Sequence, residues 1–178
     1  MHLSEKNISS ERIYNGKIIN LRKDTVLLEN GENAIREVVE HPGGVCIVPI
    51  NSNGEVLFVK QFRYPFAEVL LEIPAGKLEY GEEHFLCGKR ELLEETGATA
   101  ENFTYMGVLY PSVAYLEEKI HMYLAEGLTF GEQNLDADEF LDVVKIPLEK
   151  AVEMVMSNEI KDAKTQIAVL KTSFLLKK

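Results

Sequence analysis

Residues Gly76–Ala98 read GKLEYGEEHFLCGKRELLEETGA, and this stretch decides how the rest of the chain is interpreted. Three glutamates, Glu91, Glu94 and Glu95, fall within about one turn of a helix, where residues three and four apart share a face. Like charges at that spacing repel each other by roughly 0.2–0.5 kcal/mol per pair. A hard divalent cation would remove the repulsion, because such ions take oxygen ligands. The stretch therefore predicts a metal site on a helix, suited to phosphate chemistry.

Composition limits the classes of protein to which the chain can belong. It has 178 residues, 46% of them hydrophobic, which favours one domain with an ordinary core and a small appended segment. The formal net charge of −10 argues against a broad surface for nucleic acid or acidic lipid. Cys46 and Cys87 lack metal-ligand spacing and are interpreted as core thiols in a reducing cytosol.

The ends of the chain and its apolar runs bear on localisation. The first residues, MHLSEKNISSER, are polar and contain no apolar signal-peptide stretch. No run approaches the roughly 20 apolar residues of a membrane span. We therefore expect a cytoplasmic protein with no membrane partner and no nucleic-acid partner.

Turn residues and apolar periodicity divide the chain into elements. Asn15-Gly16, Asn30-Gly31 and Asn51–Gly54 favour hairpins, and the residues 41–44, HPGG, mark a boundary. Predicted strands are 44–50, 56–62, 69–73, 103–110, 119–125 and 140–146. A helix of about 13 residues fills the second part of the quoted stretch, with Gly97 as a left-handed cap. Two further helices are predicted at 148–157, opened by Pro147 at its first position, and at 163–176, capped by Asp162. The pattern predicts an α+β or mixed α/β fold.

The quoted stretch resembles the Nudix box, Gly-x5-Glu-x7-Arg-Glu-U-x-Glu-Glu-x-Gly-U, in which U is aliphatic. Every fixed position matches, namely Gly76, Glu82, Arg90, Glu91, Glu94, Glu95 and Gly97, with Leu92 and Ala98 as the aliphatic residues. The segments HPGGVCIVPI, VLFVKQFRYPF, EVLLEIPAGKLE and IHMYLAEGL resemble the ADP-ribose pyrophosphatase branch. The likeness runs from about residue 11 to about residue 170.

The resemblance implies a particular architecture. It predicts a Nudix-type helix–sheet–helix sandwich in residues 43–178, preceded by a small N-terminal β segment in residues 1–42. In this branch, that segment packs on a second subunit. Since a sheet of two or three strands is marginal alone, a homodimer is the expected assembly.

The resemblance also implies an activity. It predicts metal-dependent hydrolysis of the pyrophosphate bond of a nucleoside diphosphate linked to another moiety. The expected substrate is ADP-ribose, which would give AMP and ribose 5-phosphate, with Mg²⁺ as cofactor and Mn²⁺ as a substitute. The alternatives are another sugar nucleotide, a dinucleotide or a nucleoside triphosphate. A non-catalytic nucleotide-binding module is the alternative from a different class of protein.

Roles for residues in and near the box follow from the same resemblance. Glu91 and Glu95 are expected as metal ligands together with the backbone carbonyl of Ala75, and Glu94 as a ligand of a second ion. Gly76 and Gly97 complete the framework of the box. Glu82 and Arg90 are expected to pair and to brace the loop of the box against its helix.

Two candidates remain for the general base. In the ADP-ribose branch, a loop after the box reads Ser-Pro-Gly, two or three residues, then two acidic residues and a strand. The corresponding segment here is Ser112–Glu118, and Glu118 falls on the catalytic glutamate of the branch. Val113-Ala114 replaces the Pro-Gly pair of the branch. Without the glycine the backbone has less conformational freedom, so we expect this loop to follow a different path from that of the branch. Glu94 is the rival base.

Three residues outside the box are expected to bind the substrate. Arg63, in VKQFRYPF, matches an arginine of the branch that contacts the diphosphate, and a guanidinium suits phosphate because it binds bidentately. Arg36 and Glu37 match a pair that one subunit lends to the nucleotide site of its partner.

Overall fold

A computed structural model describes residues 2–137 and 139–177, and the chain divides into two units. The first unit comprises the residues up to Gly43 together with Tyr110–Lys119. The second comprises Gly44–Leu109 and the residues from Ile120 on. The segment Tyr110–Lys119 therefore belongs with the N-terminal residues, although it lies far from them in the sequence.

The first unit is built on a three-stranded antiparallel sheet in the order β1-β2-β3. Its strands are β1 (Lys6–Asn15), β2 (Asn20–Leu27) and β3 (Asn33–Glu40). Both predicted hairpins of this region are confirmed. The N–H of Gly16 donates to the carbonyl of Ile19 at 3.0 Å, and Gly31 has a φ of +84°, which glycine adopts without strain.

The segment Tyr110–Lys119 is attached to the edge of this sheet. The N–H of Val39 in β3 donates to the carbonyl of Tyr115 at 2.7 Å, and the N–H of Glu117 donates to the carbonyl of Val39 at 3.0 Å. Val39 and Leu116 form a parallel bridge. The segment thereby satisfies backbone groups of β3 that a free edge would leave unpaired.

The described residues of the second unit form seven strands and three α-helices. The strands are β4 (Gly44–Pro49), β5 (Glu55–Arg63), β6 (Glu68–Glu72), β7 (Ala75–Lys77), β8 (Ala98–Leu109), β9 (Ile120–Phe130) and β10 (Leu141–Pro147). The helices are α1 (His84–Thr96), α2 (Leu148–Met156) and α3 (Ala163–Leu175). Within the described residues, no helix is both long and apolar enough to cross a membrane.

The strands of this unit form two sheets with helices against them. One sheet is mixed, in the order β7-β4-β9-β8 with β4 and β9 parallel, and the other is antiparallel, in the order β10-β5-β6. Strand β4 is buried along its whole length. Its alternate residues serve opposite faces: Val45 and Ile47 share a core cluster with Leu92 of α1, while Cys46 and Val48 share another with Val169 of α3. The predicted α+β helix–sheet–helix sandwich is confirmed.

The ends of the helices follow the predicted signals. Gly97 ends α1 with a φ of +68°, and its N–H donates to the carbonyl of Leu93 at 2.8 Å. Asp162 caps α3, because its carboxylate accepts the N–H of Thr165 at 2.9 Å. Pro147 directly precedes α2, so its predicted place at the first helical position is shifted by one residue.

The structure differs from the predicted strands in three respects. The turn at Asn51–Gly54 predicted a hairpin, but β4 and β5 share only the bridge Ile50↔Val56 and then enter different sheets. Strand β7 was not predicted, because its three residues follow Pro74 and depend on pairing with β4. Strands β8 and β9 are longer than predicted, because they remain paired with each other as far as Ala98↔Phe130.

Candidate metal and active site

Gly76 lies directly against the carboxylate of Glu91. Gly76 is in β7, where it pairs with Val45 of β4, and Glu91 is a buried residue of α1. A Cβ built on Gly76 would lie 1.8 Å from Cδ of Glu91, far inside van der Waals contact. Only glycine therefore allows this carboxylate to approach the backbone of β7.

Glu95 is the most deeply buried carboxylate of the box. Glu95 is 3% exposed, and its Oε2 accepts a hydrogen bond from the N–H of Ala75 at 3.1 Å. Burial, followed by the charge of Glu91, raises the pKa of Glu95 to about 8. Burial also raises the pKa of Glu91. Strand β7 and one face of α1 are thus in contact through Ala75, Gly76, Glu91 and Glu95.

Arg90 contacts three carboxylates of the box at once. It binds Glu82 bidentately, with Nε–Oε1 at 3.0 Å and Nη2–Oε2 at 2.9 Å. Its Nη1 donates to Glu91 at 2.8 Å and to Glu94 at 2.9 Å. The hydrogen bonds from Arg90 lower the pKa of Glu82 to about 2. The structure therefore brings Glu82 and Arg90 together, and it adds Glu91 and Glu94 to the same guanidinium.

The loop that follows β9 lies against the end of α1. The N–H of Asn134 donates to the carbonyl of Glu94 at 3.1 Å, and Nε2 of Gln133 donates to the carbonyl of Glu95 at 2.5 Å. The N–H of Gly131 donates to the carbonyl of Gly97 at 2.7 Å. These contacts bring the loop to the acidic end of the helix.

Glu139, further along this loop, lies close enough to the acidic site for its charge to interact with it. Its pKa is raised by burial and then by the charges of Asp136 and Glu94, and its own charge contributes to the raised pKa values of Glu91 and Glu95. Sequence reasoning missed Glu139. The only available signal was an acidic loop, which is common on protein surfaces.

The chemistry of these residues fits a hard divalent cation. Burial and mutual repulsion penalise the ionised forms of Glu91, Glu95 and Glu139, and a cation would relieve that penalty. All the donors are oxygen atoms, as Mg²⁺ and Mn²⁺ prefer. Among the described residues, no three or more His, Cys, Asp or Glu side chains are grouped closely enough to hold an ion.

Arg63 lies at the end of β5, close enough to the acidic site for its charge to interact. It forms a bidentate pair with the buried Glu72, and this contact, followed by the more distant charge of Glu95, raises the pKa of Arg63. The charge of Arg63 in turn lowers the raised pKa values of Glu95 and Glu139. The positive charge of Arg63 therefore interacts with the carboxylates that are candidate metal ligands.

The remaining candidates belong to the first unit. Glu118 is 22% exposed, and its Oε1 lies 3.3 Å from Nδ1 of His41. Arg36 donates through Nε to Glu5 at 3.0 Å, while Glu37 is exposed. Within this unit the structure therefore gives Arg36 a local partner, and it places Glu118 beside a histidine.

The chain matches known families and relatives over most of its length. The family profile described as NUDIX domain matches residues 40–168, and the profile described as nucleoside diphosphate sugar hydrolase N-terminal domain matches residues 5–39. The chain is 44% identical to the "ADP-ribose pyrophosphatase" of Bacillus subtilis (strain 168), covering 94% of this chain and 91% of the relative. It is 40% identical to the "Methanol dehydrogenase activator" of Bacillus methanolicus, covering 93% of this chain and 90% of the relative.

A solved structure shows the same fold. The "ADP compounds hydrolase" superposes with a TM-score of 0.86 and 21% identity, covering 97% of this chain and 94% of that one. Together with the match over residues 40–168 and the buried glutamates against Gly76, these relatives show that the chain belongs to the Nudix hydrolase family.

Proposed function

We propose that this protein hydrolyses the pyrophosphate bond of ADP-ribose to give AMP and ribose 5-phosphate. The observation that carries the proposal is the packing of Glu91 and Glu95 against Gly76 and Ala75, which sets buried carboxylates beside a strand backbone. The name of the Bacillus subtilis relative, at 44% identity over most of both chains, favours ADP-ribose among the possible nucleotides.

Mg²⁺ is the cofactor in this proposal, and Mn²⁺ substitutes for it. Glu91, Glu95 and the carbonyl of Ala75 would hold the first ion, and Glu94 would contribute to a second. When bound, the ion supplies electrophilic activation of the phosphate and lowers the pKa of an attacking water. Glu82 and Arg90 hold the loop of the box on α1, which keeps the ligands in register.

Glu118 accepts the proton of the attacking water. The water oxygen forms a new bond to phosphorus, and the bond from that phosphorus to the bridging oxygen breaks. Proton transfer of this kind contributes about 10²–10⁴-fold to the rate. Glu118 keeps part of its carboxylate accessible, which suits a base. Glu94 is the rival for this role, and its carboxylate is already engaged by Arg90.

The substrate diphosphate is bound by Arg63. The protein acts as a homodimer in which residues 1–42 pack on the partner subunit, with Arg36 and Glu37 serving the partner's nucleotide site. The first unit supports this assembly because several of its isoleucines are about half exposed, namely Ile8, Ile13 and Ile35 in the sheet and Ile18 in the turn between β1 and β2. Two buried free thiols, Cys46 and Cys87, are compatible with a cytoplasmic location.

The test is a substrate panel with Mg²⁺, in which released phosphate is measured after coupling to alkaline phosphatase. The panel contains ADP-ribose, GDP-mannose, a dinucleotide and a nucleoside triphosphate. Turnover of ADP-ribose well above the others, abolished by a chelator, supports the proposal. Preference for another member would identify a different Nudix substrate. Tight nucleotide binding with no turnover on the whole panel would instead indicate a binding module.

A further inference from the structure

Arg63 is held along one edge by a buried carboxylate. Its Nε donates to Oε1 of Glu72 at 2.5 Å, and its Nη2 donates to Oε2 at 2.8 Å. Glu72 is 2% exposed, whereas the side chain of Arg63 is 38% exposed. No described residue hydrogen-bonds the third nitrogen, Nη1, of this guanidinium. Arg63 is thus oriented from inside the protein, and the N–H groups of Nη1 remain for a ligand.

The partner of Arg63 is not the carboxylate nearest in the sheet. Arg63 stands opposite Glu68 in the β5–β6 register, and Glu72 lies four residues further along β6. Glu68 is instead bound by Lys161, at 2.8 and 3.1 Å to its two oxygens. The long side chain of Arg63 extends along the strands to the buried carboxylate of Glu72.

Glu72 has a second cationic partner, Lys164 of α3. The side chain of Lys164 is 14% exposed, and its Nζ contacts both Oε2 of Glu72 and Oδ1 of Asp162, the latter at 3.0 Å. Burial alone would raise the pKa of Glu72, but Arg63 and Lys164 hold it below its usual value. The carboxylate therefore stays ionised between two cations.

The network is anchored in the first turn of α3. Asp162 caps this helix, so part of its negative charge is offset by the N-terminal end of the helix dipole. Oγ1 of Thr165 in the same turn accepts the N–H of Ile73, the residue next to Glu72, at 3.0 Å. The helix thereby fixes the backbone of β6 and the charge of Glu72 together.

We propose that Glu72, Lys164 and Asp162 are positioning residues that hold Arg63 ready to bind a phosphate oxygen of the substrate through Nη1. Glu72 supplies the orientation. Lys164 shares the charge of Glu72, so that Arg63 is not neutralised by its own anchor. Asp162 binds Lys164 as well and so offsets part of the positive charge that Lys164 brings to Glu72. This inference rests on the proposed function, since it takes the ligand of Arg63 to be the diphosphate.

Three variants separate these roles. In Lys164→Met, the full negative charge of Glu72 acts on Arg63, because Lys164 no longer shares it. The KM for ADP-ribose should then rise about tenfold, with kcat changed less than about threefold, as expected for lost binding to a charged group. Lys164→Arg restores the charge and should return KM to within about threefold of the wild type. Asp162→Asn keeps a good helix cap while removing one negative charge, so KM should be equal or lower.

Lys161→Met is the matched control, because Lys161 binds Glu68 on the same side of the protein without contacting Glu72. It should leave KM and kcat unchanged. Equal KM values for the Lys164→Met and Lys161→Met variants would overturn the proposal, as would a higher KM for Asp162→Asn. Because a higher KM for Asp162→Asn overturns the proposal by itself, the proposal remains testable where Lys164→Met does not fold.

A second readout does not depend on turnover. Affinity for inorganic pyrophosphate, measured by calorimetry with a chelator present, should fall about tenfold in Lys164→Met and stay constant in Lys161→Met. If the wild type fails to hydrolyse ADP-ribose but this pattern holds, the proposed substrate is wrong and the positioning role stands. If hydrolysis is observed and pyrophosphate affinity is the same in both variants, the positioning role is wrong.

Discussion

The carboxylate of Glu91 occupies the space that any side chain at position 76 would need. A Cβ on Gly76 would lie 1.8–2.2 Å from the three atoms of that carboxyl group. The glycine of the box is therefore explained by contact with a candidate metal ligand. It does not have the positive φ of Gly81 or Gly97.

Gly76→Ala should displace Glu91 and abolish most activity. A displacement of about 1 Å at a reacting centre costs on the order of 10²-fold, so kcat/KM for ADP-ribose should fall at least that much. Gly81→Ala is the control, because a Cβ there meets nothing within 4 Å. Its positive φ should cost about 1 kcal/mol of stability with activity within about twofold of the wild type. Similar activity in both variants would contradict this account of Gly76.

Glu95→Gln should lower kcat by about a thousandfold, because it removes a ligand of an ion that contributes several kcal/mol. The amide oxygen can still accept the N–H of Ala75, so the fold should persist. The folded-state pKa of Glu95, about 8, lies above the 4.5 of the unfolded chain. Its contribution to metal-free stability is therefore present below pH 4.5 and is lost as pH rises through 8.

It follows that, with a chelator present, Glu95→Gln should unfold at a higher temperature than the wild type at pH 8, and the difference should shrink towards pH 5. Thermal denaturation measures this directly. The exposed Glu153→Gln on α2 is the control and should follow the wild type at each pH. A Glu95→Gln variant with normal turnover would remove Glu95 from the set of ligands.

Glu82→Gln should show the opposite dependence on pH. Arg90 holds the pKa of Glu82 at about 2, below the unfolded value of 4.5. The resulting stabilisation is present above pH 4.5 and is lost as pH falls towards 2. Denaturant unfolding should therefore show the wild type more stable than Glu82→Gln at pH 7, with the two curves approaching each other near pH 3. A constant difference across this range would argue that Arg90 stabilises the loop without this charge pair.

Glu118→Gln distinguishes the two candidate bases. If Glu118 accepts the proton, kcat should fall by 10²–10⁴-fold while the Mg²⁺ requirement is unchanged. Glu117→Gln is the adjacent control. Glu117 is bound by Arg22 at 2.7 Å, so this change should have a smaller effect, on loop order alone. Near-normal kcat in Glu118→Gln, together with a large loss in Glu94→Gln, would transfer the role to Glu94.

Ile13→Asp tests the proposed homodimer. Ile13 is 49% exposed on β1, and a charge placed in an interface would be costly to bury. Light scattering after size exclusion should show dimers for the wild type and monomers for the variant at micromolar concentration. Met156→Asp, at an exposed position of α2, should remain dimeric. A monomeric wild type would exclude the dimer.

Local signals in the sequence accounted for the elements that carry the site. The apolar periodicity of the box, with Gly97 after it, was sufficient to predict α1 and its cap, because both depend on neighbouring residues. The turn at Asn51–Gly54 was recognised, yet its strands enter different sheets, and a local turn carries no information about that choice. Strand β7 escaped prediction for a similar reason, since three residues become a strand only by pairing with β4.

Tertiary charge pairs were the least accessible to sequence reasoning. Arg63 was selected as a candidate, but its contact with Glu72 and the share of Lys164 in that carboxylate join residues far apart in the chain. The charge of Glu139 likewise interacts with the acidic site across a separation of more than 40 residues in the chain, about which the sequence pattern says nothing. No periodicity or spacing encodes such contacts, because they depend on how finished elements pack.

The attachment of Tyr110–Lys119 to β3 limits how this protein can be divided. A fragment that begins at Gly44 would keep Tyr115 and Glu117 while discarding Val39, the residue whose backbone pairs with both. The orphaned segment would then have to find a new conformation. Chimeras that exchange N-terminal regions between relatives should accordingly transplant the two stretches as a single cassette.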